Sequence, residues 1–232
     1  AKPEEERGRF SRALALWLGE TFAYSASYST ITTLGVLGQD HYALFPVEWS
    51  TDNLRQLNEG AEGGLDYIVT GALRTRNADF ELVLRIWEVK KFRELKAFTA
   101  RWTPSTADEA LAKLHAQLRT YMEWSALPAG AGLPYTPPAA PQAYLNALGA
   151  SLSLFLGEKG VLAAAHVATD LAPFLAAAQA MPDDVRANLL LVTALQRIQR
   201  RGITPDPAAL DHARAWLARE STRAAGVTGV EL

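Results

Sequence analysis

DYIVTGALRTRNADFELVLRIWEVKK, residues 66–91, decides the fold. It reads as two strands, 66–75 and 79–90, joined by a tight polar turn at Asn77–Ala78. With that turn, Arg74 faces Glu81, Ala72 faces Val83 and Gly71 faces Leu84. The Arg74–Glu81 pair is a favourable cross-strand match and supports the register. Asn suits the positive φ that such a turn requires. A third strand, 94–103, follows a loop at Lys91–Arg93 and brings Trp102, Ala100 and Phe98 beside Leu82, Leu84 and Ile86. One face of the sheet is then apolar, with Val69, Gly71 and Leu73 beside Ile86, Leu84 and Leu82, and it is expected to lie under helices. On that face Gly71 withholds a side chain, leaving room for Leu84 or for a helix to come close.

The opposite face divides in two. Arg74, Glu81, Thr70, Arg85, Thr99 and Arg101 make one end polar. Ile68, Trp87, Ala97, Val89 and Leu95 make the other end apolar. A sheet covered on one side only should be polar throughout here. Two readings follow. Either a proline-rich linker or C-terminal helices cover Trp87, or Ile68, Arg85, Trp87, Val89 and Leu95 form a protein-binding patch.

Working outward, EEERGRFSRALALWLG (residues 4–19) places Phe10, Leu14, Trp17 and Leu18, with Thr21 just beyond, on one helical stripe. Its glutamates sit in the first turn, where the helix dipole favours negative charge. Residues 21–37 fit a helix by spacing and a strand by their Thr, Ser and aromatic content. YALFPVEW (42–49) is a short strand candidate. STDNLRQLNEG (50–60) is a short helix, capped by Thr51 or Asp52 and stopped at Gly60. After the strands, Pro104 ends the sheet, and Thr106 with Glu109 spells a capping box for a helix over 107–125.

The clearest boundary is ALPAGAGLPYTPPAAP (126–141), which holds five prolines and two glycines. Neither helix nor sheet continues through such a run, so it reads as a semi-rigid linker. Five of the six tryptophans precede it, and only one lysine follows it. The composition therefore shifts across this boundary. Helices are expected near 140–157, 159–180, 182–201 and 206–222. The fold class is α+β: a mainly antiparallel sheet with helices packed on one face (1–125), the linker (126–141), then an all-α helical-hairpin domain (142–232).

Composition limits function. The chain has 232 residues and a formal net charge of −2, so it carries no electrostatic footprint for nucleic acid. No apolar run approaches the roughly 18 residues of a membrane span. The acidic, polar start lacks the plan of a signal peptide. With no cysteine, disulfides, thiolate metal sites and cysteine nucleophiles are excluded from this chain. His41, His115, His166 and His212 form no metal-binding spacing, and His115 and His166 read as packing or surface residues. Asp183–Asp184 read as helix-capping residues. The glycine-rich Glu59–Gly64 segment precedes a strand and lacks the Lys of a phosphate loop. Arg197, Arg200 and Arg201 complement a helix C-terminus. No catalytic, cofactor-binding or metal site emerges.

The segment 66–102, with its D-Y-I-V-T-G-A-L strand, polar turn, F-E-L-V-L-R-I-W-E-V strand and closing A-R-W, resembles the TolB amino-terminal domain. It is also similar to the related envelope domains of the FlgO, LpoB and CsgG group. The resemblance spans about residues 40–125. It departs in two places. No strand ending in Pro-Phe precedes Phe10, which implies that the chain begins inside the domain. Lys90–Arg93 replaces a Thr-Gly loop. The resemblance implies a non-enzymatic module that binds other proteins, in the bacterial periplasm or envelope. A second resemblance, to a tetratricopeptide helix pair, rests on Leu145, Leu148, Gly149, Leu152, Ala165, Ala168 and Pro173. An ordinary alanine-rich hairpin is the competing reading there. The alternatives are a regulatory segment of a larger cytosolic signalling protein, and an enzyme of unknown type. The strand 94–103, guarded by Lys96 and Arg101, leaves self-pairing open.

Overall fold

The computed structural model describes residues 6–37, 41–42, 47–76, 79–128, 134–163, 167 and 169–228. The protein is α+β. Among the described residues it has seven α-helices, one 3-10 turn, a three-stranded antiparallel sheet and two two-residue strands, β1 (Val36–Leu37) and β2 (His41–Tyr42). The chain forms two compact units. One comprises residues 1–20, 36–41 and 136–232; the other comprises 21–35 and 42–135.

The second unit is built on the sheet β3 (Tyr67–Arg76), β4 (Asp79–Glu88) and β5 (Arg93–Trp102), in the order β3-β4-β5. The hairpin register is the one the sequence predicts, with Gly71 opposite Leu84 and Arg74 opposite Glu81. The turn at Asn77–Ala78 lies outside the described residues. The β4–β5 register differs from expectation by two residues. Ala100 sits opposite Leu82, Phe98 opposite Leu84 and Trp102 opposite Phe80. A shift of two preserves the faces, because side chains alternate with period 2. Two features cause it. A 3-10 turn, Val89–Lys91, closes on Phe92 at φ 46°, and a register break at Ile86/Trp87 leaves Leu95 without an opposite residue. The gain is a stacked Phe80–Trp102 pair, 5.6 Å apart and 8° from parallel.

Helix α3 (Ala107–Tyr121) packs along β5 and buries Leu111, Leu114 and Leu118. Leu82, Leu84, Ile86, Phe98, Ala100 and Trp102 are buried on the apolar sheet face. The expected capping box at Thr106 does not form. The Thr106 hydroxyl instead accepts a hydrogen bond from the Thr103 N–H at 3.0 Å. The helix also stops at Tyr121, before a left-handed Glu123 at φ 50°.

Helix α2 (Thr51–Glu59) corrects the expectation that helices cover one face only. It is capped by Ser50, whose hydroxyl and backbone exchange hydrogen bonds with Asn53. Its Leu54, fully buried, packs with Ile68 and Val89 on the opposite face of the sheet. Trp49, Leu57, Leu65, Trp87 and Phe92 close the cluster. At 43–46 the expected strand lies outside the described residues.

The first unit holds most of α1 (Glu6–Ala23) with α4 (Pro141–Glu158), α5 (Ala172–Ala180), α6 (Val185–Arg200) and α7 (Pro207–Thr228). The α1 stripe is buried as predicted, Trp17 to 1% exposure. Helices α4, α5 and α6 pack on one another, and α7 packs on α6. The expected helix 159–180 is shorter. It begins at Ala172, with Pro173 in its first turn. Ala165 and Ala168 lie outside the described residues. Gly149 serves a close approach, but to α1: a Cβ there would stand 2.6 Å from the Arg9 carbonyl oxygen.

Candidate functional site

The five residues of the expected patch are brought to one end of the sheet, and α2 already occupies it. Ile68 and Val89 are each 6% exposed, under Leu54. Trp87 is half-buried, and its indole N–H donates to the Thr70 hydroxyl at 3.0 Å. Arg85 donates from Nε to Glu48 at 2.7 Å and from a terminal nitrogen to Glu94 at 3.0 Å. Leu95 is half-buried at the register break. Trp87 therefore packs against the cluster that α2, the helix just ahead of its own hairpin, builds around Leu54. The variant Trp87→Ala should lose stability: about 2–3 kcal/mol, below the roughly 3–5 of a fully buried Trp. Urea denaturation measures it, and a loss under about 1 kcal/mol would show that Trp87 is dispensable to this cluster.

The polar end of this face is a ladder of alternating charge. Arg74 bonds Glu48, and lies 3.5 Å from Glu81. Glu81 also accepts from Arg101 at 2.5 Å. Hydrogen bonding to Arg85 holds the Glu48 carboxyl below its ordinary range. A lowered carboxyl stabilises the fold above its ordinary value near 4.5; that contribution is lost as pH falls through the lower folded value. A half-open depression beside the ladder is lined by Arg74, Asp79, Phe80, Glu81, Arg101 and Trp102. Its Arg74, Glu81 and Arg101 charges are paired with one another.

Two buried polar clusters were not foreseen. In the second unit, Thr21 Oγ1, His115 Nε2 and the Tyr135 hydroxyl form a triangle of hydrogen bonds at 3.0, 2.8 and 3.0 Å. His115 is 2% exposed, so it is no surface histidine. Tyr135 also packs on Tyr24, Trp124 and His115, and Arg119 stacks 3.9 Å over Trp124. In the first unit, the Tyr144 hydroxyl donates to Glu20, lying 2.8 and 2.9 Å from its two oxygens. Arg186 lies 3.6 Å from Glu20 and 3.1 Å from Asp184. It also donates to the Thr136 carbonyl. Burial raises the Glu20 carboxyl above its ordinary value, and burial with the Glu20 charge raises the Tyr144 hydroxyl. The donors and acceptors of this second cluster are directed at one another. Their arrangement fastens α1, α4 and α6 together. No signal for either cluster exists in local sequence, because the partners come from distant positions.

Among the described residues no group of three His, Asp or Glu side chains converges as a metal site would require. No helix is long and apolar enough to cross a membrane, among the residues described. Arg197 and Arg200 both reach Glu158, at 3.1 and 3.6 Å, so this cationic end is partly neutralised within the unit.

Among the described residues, one surface stands open. Strand β3 is a sheet edge, as is β5. The two edges differ in chemistry. Along β5, Arg93, Glu94, Lys96 and Arg101 interrupt the strand with charge. Along β3, seven consecutive residues, Tyr67 to Leu73, carry none. Tyr67 is 45% exposed and Val69 37%, and Gly71 is exposed between them and Arg74. These side chains belong to the face that α3 covers over β5. No family model, no curated protein and no solved structure matches this chain.

Proposed function

We propose that this chain is a non-catalytic protein-binding module, and that its contact surface is the open edge and face of β3 rather than the Trp87 end. One observation carries the reading: an edge strand with seven uncharged residues whose apolar side chains, Tyr67 and Val69, face solvent. Exposed edges of this kind are protected by charge, proline or a covering element when they have no partner. A strand laid along such an edge gains main-chain hydrogen bonds, and alternate side chains supply selectivity. The resemblance of residues 40–125 to envelope domains of the TolB and FlgO type agrees with a binding or assembly role, and it is the reason a bacterial envelope is favoured over the cytoplasm. The tetratricopeptide-like reading of 143–173 adds no surface to this proposal.

Photo-cross-linking tests the reading. A benzophenone amino acid is placed at Tyr67 or Val69 of the full chain, and at Arg101 on the charged edge as a control. Discrete adducts from 67 and 69, and none from 101, are expected. Adducts from 101 only, or from no position, would overturn the assignment of the surface.

A further inference from the structure

We infer that the partner seated on β3 is a second copy of this chain, paired antiparallel about Thr70 so that two three-stranded sheets become one of six strands. This deepens the binding reading of the same surface and rests on it. Residues directly opposite across an antiparallel pair lie on the same face, so a two-fold pairing that keeps both faces continuous must set one residue opposite itself. Three centres lie near the middle of the uncharged run: Val69, Thr70 and Gly71.

Only the Thr70 centre matches charge and volume together. It sets Asp66, exposed just before the strand, opposite Arg74 of the second copy, and does so twice by symmetry. It also sets Val69 opposite Gly71 and Tyr67 opposite Leu73. The two exposed apolar side chains thus meet apolar neighbours, and Tyr67 lies diagonally across from the vacant Gly71 position. The Gly71 centre pairs Asp66 with Arg76 but places Arg74 opposite Ile68, a residue buried beneath Leu54. The Val69 centre would place Asp66 opposite Ala72 and Arg74 opposite Gly64, so neither charge meets an opposite one. A single strand pair buries less than the roughly 1,200–2,000 Å² of a stable interface, so the association depends on concentration.

Sedimentation equilibrium of the full chain over roughly 10 μM to 1 mM reads this directly. Wild type should shift from monomer to dimer across that range. Asp66→Arg turns two attractions into two repulsions and should weaken association about tenfold, as should Arg74→Asp. Arg74 also holds Glu48 and Glu81 within its own chain, so two further samples decide the matter. The double variant Asp66→Arg/Arg74→Asp, and an equimolar mixture of the two single variants, should both return to within about threefold of wild type. A strict monomer across the range overturns the inference, as does an association that Asp66→Arg leaves unchanged and mixing does not restore. If the chain is monomeric while position 67 still cross-links to another protein, self-pairing fails and the binding reading stands. A monomer with no adducts overturns both.

Discussion

Arg186→Met should destabilise the folded chain by about 3–5 kcal/mol near neutral pH, the range for removing one member of a buried charge cluster. Arg186 and Asp184 are 11% and 16% exposed at their side chains, and Glu20 is 22% exposed. Without the guanidinium, the Glu20 carboxylate keeps only its hydrogen bond from Tyr144 to offset its burial. The pH dependence fixes the sign of the mechanism. The Glu20 carboxyl is already raised above its ordinary value near 4.5, chiefly by burial, with Tyr144 and Arg186 working to lower it. Loss of Arg186 raises it further. A carboxyl with a raised folded value is tolerated fully below its unfolded value, and it loses stability as pH rises through the folded one. The variant should therefore lie closer to wild type at pH 5 than at pH 7.5. Urea denaturation at the two pH values reads both effects. The exposed Arg200→Met is the control, with an expected change within about 0.5 kcal/mol. A loss under about 1 kcal/mol, or one equal at both pH values, would show that the cluster does not hold α1, α4 and α6 together.

What was legible in the sequence was local. The β3–β4 register follows from a turn, a period of two and the Arg74–Glu81 pair, all within fifteen residues, and it is found as read. The α1 stripe is likewise a local pattern. The β4–β5 register slipped by two because a 3-10 turn and a register break at Ile86/Trp87 are backbone choices without a marked residue signal. Phe92 takes φ 46°, where glycine would have been the sign to look for. Trp87 packs with a neighbour in sequence, α2, which the residue pattern does not mark as its partner. The stretch 50–60 shows only Leu54 and Leu57 as apolar positions, too few to mark a helical stripe, yet both join the cluster. Capping failed in the same way. Ser50 precedes Thr51 and Asp52, three good caps in a row, and only the geometry chose Ser50.

The candidate surface was half legible. Among the described residues, part of the apolar face expected under helices is open, because α3 is a single helix packed along β5 and β3 is the far strand. Pattern alone fixes which residues share a face, not how much of that face one helix can span. The charged and uncharged edges, by contrast, were there to be read: Lys96 and Arg101 marked β5 as guarded, and the missing charge between Tyr67 and Leu73 marked β3 as its opposite. The buried clusters at Glu20 and His115 were illegible for another reason. Their partners are 124 and 94 residues apart in sequence, and no spacing rule reaches that far.

Gly149→Val should be among the most damaging single substitutions in the helical unit, at about 3 kcal/mol or more. Two effects oppose each other here. Replacing a mid-helix glycine gains helix propensity, up to about 1 kcal/mol for alanine and less for valine. Against this, the first added carbon would stand 2.6 Å from the Arg9 carbonyl oxygen and 3.0 Å from its carbon. Those atoms are backbone and cannot rotate aside, so α1 as a whole must move. Overpacking of this kind costs roughly 1–3 kcal/mol for modest additions and more when backbone must shift. The clash wins, and alanine at 149 should lose stability as well, by about 1–2 kcal/mol net. Gly8→Ala, also in α1, is the matched test. Its added carbon would meet only the Arg12 guanidinium at 3.4 Å, an ordinary contact with a flexible side chain. There the propensity gain is unopposed, and the same substitution should stabilise the protein slightly. Opposite signs for the two alanine variants in thermal and urea unfolding are the expected result. A neutral Gly149→Ala would mean that α1 and α4 are not held at the distance this glycine allows.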